Sequence, residues 1–403
     1  MASSNSARVS RWSRGLVVAG VLLFVAWQVA VLAGLSRSAT VVLGVHGFVF
    51  HVVFGKAYAL VPSYFARELA VPSAPLVHLP LGTLGTVALF AGTADLAPGV
   101  VGPVGATLWL ASVAVFVAAL GWTIRDNPTG SETGTGASNA HRERIDRYAN
   151  AAVPVVIAYL VLGATASALE AWAFETSAVG DFVPFVAGPA TTHLLAAGTA
   201  TLLVFAIGFR LLPRLLVVSP RRWLVILVLA AGAVGPALLA FDFHGGRLFA
   251  TGGAIQALAL VGFALGYADL YHRSERRRVG GWTILLAAGF AVLVAVLGLS
   301  FALGHADGAA FDAHYRLAVG GFLGLTIVGV SYHFYPPAIA ARRFVGPRLA
   351  AVAVVALAAG LALEAGGLLA ALEAVVVAGR LLAVVGAVGY ATVLGTIFLE
   401  RAG

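Results

Sequence analysis

About twelve apolar runs, each long enough to cross a lipid bilayer, follow one another along this chain. A ~30 Å hydrocarbon core takes roughly 20 helical residues. The runs fall near 15–34, 40–61, 76–96, 100–124, 150–173, 184–211, 222–242, 248–270, 281–304, 312–335, 347–367 and 376–399. In hydrocarbon every backbone amide and carbonyl must find its partner within the chain, which leaves helices and closed barrels. Barrel strands would alternate polar and apolar residues, and that alternation is absent. With 60% hydrophobic and 10% charged residues, the 403-residue chain is expected to be all-α and polytopic, a single integral membrane domain over 1–403.

The charge distribution sets orientation. A net charge of +8 resembles that of a nucleic-acid binder, but the arginines sit in short loops at alternate ends of the spans. That is the positive-inside pattern of a bilayer protein, with no nucleic-acid partner implied. Putting the N-terminus in the cytoplasm places Arg67, Arg125, Arg210, Arg221, Arg273, Arg342 and their neighbours inside, and only Arg37, Arg247, Arg316 and Arg380 outside. The expectation is a prokaryotic inner-membrane protein with both termini cytoplasmic. The first run follows Arg8, Arg11 and Arg14 like a signal peptide, but it lacks a small-residue cleavage site and is read as an uncleaved first helix. The polar segment NPTGSETGTGASN, within 125–148, reads as a flexible cytoplasmic loop.

Three of the spans share a pattern: a Gly, a small residue eight positions on, and a Pro seven beyond. It runs Gly47, Gly55, Pro62; Gly198, Ala206, Pro213; and Gly321, Gly329, Pro336. These are the second, sixth and tenth spans, so the implied unit is four helices used three times in parallel, near 15–124, 150–270 and 281–399. Small residues let helices approach closely in lipid or leave room for a flat macrocycle, and Pro ends the helix where it leaves the membrane.

His46, His193 and His314 lie just upstream of the three glycines, by one, five and seven residues. An unsatisfied polar group in hydrocarbon is costly, and neutral imidazole is a good ligand for heme iron, copper or zinc. The competing reading is a set of helix-to-helix hydrogen bonds. His51, about one turn from His46, is an equal candidate on the second span. Lys56, the only lysine, serves proton movement or snorkels toward the cytoplasm. His244 and His305 stand near Asp242 and Asp307 as an outer polar lid, a weak metal site or solvated loops. His78 and His333 read as helix-end residues, and His141 and His272 as loop residues. Glu364, Glu373 and Arg380 are candidates to pair near the last two spans. The chain has no cysteine, which excludes disulfides, iron–sulfur clusters, thiolate-ligated heme and c-type heme attachment.

Twelve helices in three parallel units, with His on the second, sixth and tenth, resemble the heme–copper oxidase catalytic subunit. The segment HYRLAVGGFLGLTIVGVSYHFYPP is similar to the His-led, Gly-rich helices of the shorter oxidase-like proteins, including the NnrS-type family. The resemblance implies that His46 or His51, together with His314, holds heme b, and that His193 is a copper or second-heme ligand. It implies electron transfer or handling of a diatomic gas such as NO or O2, with a redox partner or companion membrane subunits. Departures argue against a complete binuclear centre: the seventh span carries no His pair, Arg316 stands where a second outer His belongs, and no Tyr follows His193 at the cross-link spacing. The alternative is a cofactor-free membrane subunit or transporter on the same scaffold.

The orientation has a direct test, because a cysteine placed at Ser131 meets no background thiols. It is expected to resist a membrane-impermeant maleimide in intact cells and to react after lysis. Labelling in intact cells would reverse the orientation.

Overall fold

The computed structural model describes residues 2–176, 188–243, 245–305 and 307–401. Twelve helices in it are long and apolar enough to cross a membrane: α1 (Val9–Leu32), α2 (Arg37–Tyr64), α3 (Ala74–Thr93), α4 (Val101–Ile124), α5 (Ala137–Ala173), α6 (Gly188–Leu216), α7 (Arg222–Phe241), α8 (Arg247–Arg273), α9 (Val279–Ala302), α10 (Gly308–Phe334), α11 (Pro347–Leu369) and α12 (Glu373–Glu400). There is no strand among the described residues.

Three of these spans are not plain α-helices. The helix widens to π geometry over Val42–Val49 in α2, Leu194–Thr201 in α6 and Leu317–Gly324 in α10. Each π segment contains the first glycine of the repeated pattern. The three segments touch one another pairwise, so α2, α6 and α10 meet in the middle of the bundle. A π turn leaves backbone carbonyls without their usual partners four residues on. Side chains supply some of the missing donors. Thr199 Oγ1 donates to the Leu194 carbonyl at 3.0 Å, five residues back. His51 Nδ1 lies 2.8 Å from the Gly47 carbonyl and 3.1 Å from that of His46. Trp27 of α1, fully buried, is wedged between two π segments. A Cβ on Gly44 would lie 2.9 Å from its ring, and one on Gly320 3.3 Å from it.

Toward the arginine-rich end the three central spans line a cavity of about 100 Å3. Every lining residue comes from α2, α6 or α10, and Lys56 is its only charged one. Six of the nine remaining spans pack around this centre in tight hairpins, α3 with α4, α7 with α8 and α11 with α12. Lipid tails are as apolar as leucine, so such contacts depend on close backbone approach. A Cβ on Gly105 would collide with the Leu89 amide and one on Gly379 with the Glu364 amide, and one on Gly252 would meet the Leu239 amide at 2.7 Å.

Two sequence expectations need adjustment. Pro62 and Pro213 sit inside the last turn of α2 and α6, and only Pro336 lies beyond its helix. The polar segment before α5 is tied down by specific contacts. Asn127 Nδ2 donates to the carbonyls of Phe65 and Glu132, Thr135 Oγ1 to Asp146, and Asn150 Nδ2 to the carbonyls of Tyr64 and Gly130. Arg67 pairs with Asp126 and Glu132 across the same surface, and its guanidinium holds the Asp126 carboxyl below the usual carboxylate range.

The hairpin contacts predict an asymmetry between glycines. Gly379→Leu should part α11 from α12 and lower the thermal midpoint in detergent, with a cost of about 1–3 kcal/mol or more from overpacking. Gly366→Ala, whose Cβ would meet nothing within 4 Å, should leave it unchanged. Equal midpoints for the two variants would contradict the packing described.

Candidate functional site

The polar side chains inside the bundle form separate groups, and the grouping differs from the sequence expectation. His314, at the start of α10, faces His193, at the start of α6. Their ring centres are 6.4 Å apart and their planes differ by 13°. His193 Nδ1 is held by the Pro189 carbonyl at 2.7 Å, one turn back. That contact makes Nδ1 the protonated nitrogen and leaves Nε2 with its lone pair. His314 Nδ1 is buried and has no hydrogen-bond partner among the described residues. Aromatic rings flank the pair, with Phe243 4.8 Å from His193 and Phe301 5.3 Å from His314. The site lies at the arginine-poor end of the bundle, between α6 and α10 and bounded by α9.

His46 and His51 belong elsewhere. His46 Nε2 lies 3.1 Å from Ser167 Oγ of α5, and its ring packs edge-on to Trp109 of α4 at 4.5 Å. His46 Nδ1, Trp109 Nε1 and Thr86 Oγ1 are buried without partners among the described residues. Both nitrogens of His51 are taken, Nδ1 by backbone carbonyls and Nε2 by Thr83 Oγ1 at 3.2 Å. His51 thus stitches the π segment of α2 to α3, the helix-to-helix role weighed against ligation. His78 likewise meets Tyr58 Oη at 3.1 Å. Neither His46 nor His51 shares a ring contact or hydrogen-bond partner with His314. The imidazole that comes to His314 is His193.

The other candidates separate in the same way. Lys56 donates to Tyr335 Oη at 2.8 Å, and its ammonium lies 4.3 Å and 4.1 Å from the ring centres of Phe334 and Tyr335. It thus reaches toward the arginine-rich end, as a snorkelling lysine does. His305 is exposed, and Asp307 caps α10 by accepting from the Ala310 amide at 2.6 Å. His244 lies outside the described residues. Arg316 is buried and ion-paired to Glu364 at 2.8 Å, and Glu364 also accepts from Arg380 at 3.0 Å. Glu373 is exposed and takes no part in that network. Among the described residues no group of three or more His, Asp or Glu side chains is arranged to hold a metal ion.

Sequence reasoning missed one buried group. Asp146 of α5, 0% exposed, accepts a bidentate pair from Arg214 at 2.6 and 3.1 Å. Arg210, 1% exposed, donates to Asn150 and lies 4.1 Å over the Tyr64 ring. The group fastens the arginine-rich ends of α2, α5 and α6 together. Asp146 stands among Arg142, Arg144 and Arg147 and reads as loop charge. The available signal was Arg210, embedded in the apolar stretch AIGFRLL before its span ends.

Fold and site together define a twelve-span α-helical membrane protein with a central π-bulged trio and a facing histidine pair. No family model and no curated protein matches the chain.

Removing one partner of a buried ion pair leaves an uncompensated charge. Asp146→Ala is expected to destabilise the protein by about 3–5 kcal/mol, read as a large fall in thermal midpoint. Glu143→Ala, which removes only an exposed pair with Arg147, should cost under about 1 kcal/mol. An unchanged midpoint in Asp146→Ala would show that the cluster does not hold α5 to α6.

Proposed function

We propose that this chain is an oxidase-like integral membrane protein in which His193 and His314 hold a transition-metal centre, serving electron transfer or the handling of a diatomic gas such as NO or O2. The observation that carries the reading is the facing pair itself. Two imidazoles on opposite sides of one metal, each bonded at about 2.0–2.1 Å, have their ring centres roughly 6 Å apart, and the pair stands at 6.4 Å. The Pro189 carbonyl orients His193 as a ligand's partner should. The unpartnered His314 nitrogen is costly in hydrocarbon unless something occupies it. Heme b is the leading group and copper the alternative. Either supplies one-electron chemistry and a coordination site for a diatomic ligand.

In this reading His193 takes the place that sequence resemblance gave to His46 or His51. The protein's own residues orient the two rings, and Phe243 and Phe301 pack against them. Among the described residues no third ligating side chain joins the pair, which supports a mononuclear site rather than a complete heme–copper centre. The shared Gly/small/Pro spacing, the three π segments and the three glycine-zipped hairpins support triplication of a four-helix unit. The arginine bias supports a prokaryotic inner membrane with both termini cytoplasmic. A redox partner or companion subunit would supply or accept the electrons.

The test is metal analysis and a visible spectrum of the purified full chain. Wild type should carry iron with a heme absorption spectrum, or copper. His193→Ala and His314→Ala should each lose it, while His51→Ala keeps it at lower thermal stability and His141→Ala changes neither. Wild-type protein without iron or copper would refute the reading and leave the cofactor-free subunit or transporter. Loss of the metal in His51→Ala alone would restore the pairing expected from sequence.

A further inference from the structure

Two buried donors at the arginine-poor end have no acceptor. Gln28 of α1 is 1% exposed and Arg316 of α10 is 2% exposed. Arg316 Nη2 donates to Gln28 Oε1 at 2.7 Å, which leaves the carboxamide nitrogen Nε2 outside that bond. That Nε2 and Arg316 Nη1 are both without a hydrogen-bond partner among the described residues. Their parent groups are joined by one short hydrogen bond, so both free donors belong to one buried side-chain pair.

The surroundings determine what kind of acceptor. Arg316 Nε donates to Glu364 Oε2 at 2.8 Å, and Arg380 Nε to Glu364 Oε1 at 3.0 Å. Each oxygen of the one carboxylate is already engaged. The Tyr315 hydroxyl accepts from Trp27 Nε1 at 2.6 Å. The Arg316 guanidinium lies 4.6 Å over the Trp27 ring, which adds attraction for the cation but no acceptor. The group thus holds two guanidinium charges against one carboxylate, a net positive charge among α1, α10, α11 and α12. A water molecule here would satisfy the free donors but would leave the surplus charge uncompensated. An anion needs donors alone, and it offsets the surplus charge. Arg380, whose side chain is 25% exposed, connects the group to the bundle surface.

We propose that Arg316 and Gln28 form a binding site for a small monovalent anion, halide-sized or nitrite-sized, at the arginine-poor end of the bundle. The site is separate from the histidine pair and does not depend on the metal reading.

The experiment uses the full chain in detergent. Its thermal midpoint is followed as sodium gluconate is replaced by sodium bromide, or in a second series by sodium nitrite, at constant ionic strength. Wild type should show a saturable rise with at least one of the two small anions. A rise with both marks a site that selects by charge and size, and a rise with one identifies the class it takes. In Gln28→Leu the half-saturating concentration should increase about tenfold, the loss of one hydrogen bond to a charged ligand. Because Arg316→Gln risks misfolding, Arg380→Gln serves as a second variant, and its weaker positive field should also raise the half-saturating concentration. A bromide-soaked crystal should give an anomalous peak at hydrogen-bonding distance from both free nitrogens. A midpoint indifferent to both anions, a response unchanged in Gln28→Leu, or a water without anomalous signal at that place would overturn the proposal.

Discussion

Close backbone contact between helices is the constraint on which this fold depends. Lipid gives helices no hydrophobic reason to associate, so spans packed this tightly need positions where a Cβ is missing. Glycine provides them at each peripheral hairpin, with Gly105, Gly252 and Gly379 set against the backbone of the neighbouring span. At the centre the same requirement takes another form. The π segments of α2, α6 and α10 meet each other, and Trp27 fits only where Gly44 and Gly320 make room. The price of the π turns is unsatisfied carbonyls, and Thr199 and His51 cover part of it.

Charge placement follows from the same solvent. Ionised groups are rare inside the spans, and the two buried charge clusters sit near opposite ends of the bundle. Asp146, Arg210 and Arg214 join α2, α5 and α6 at one end. Arg316, Glu364 and Arg380 join α10, α11 and α12 at the other, with Gln28 bringing in α1. Each cluster ties a central span to peripheral ones. The central trio is therefore held at both ends, and Lys56 is the sole charge lining the cavity toward its arginine-rich end. The facing pair of His193 and His314 lies beside the second cluster's end of the bundle, where α6 and α10 begin.

The number, order and approximate limits of the spans were legible because a run of apolar residues reports membrane crossing directly. The centrality of the second, sixth and tenth spans was legible through their glycine spacing. The π segments were not, since hydrophobicity is close to uniform around these eight-residue stretches and carries no phase. The pairing of His314 with His46 or His51 is what the family resemblance implies, and offsets of five and seven residues from the repeated glycine do not by themselves bring His193 to His314. A π segment begins directly after His193 and three residues after His314. Each one changes the angular step from that of an α-helix. Arg210 was hidden for a different reason: an arginine close to a span's end is ordinarily a solvated anchor, and only the three-dimensional position of Asp146 and Asn150 makes it a buried one.

The central claim is that His193 and His314 share one ligand. The most direct measurement is an experimental density map of the protein purified without added metal, with diffraction data collected at the iron and copper absorption edges. The account predicts an anomalous peak between the two imidazoles, within coordination distance of His193 Nε2. Two rings in direct contact with protein or lipid, with no anomalous scatterer between them, would contradict it.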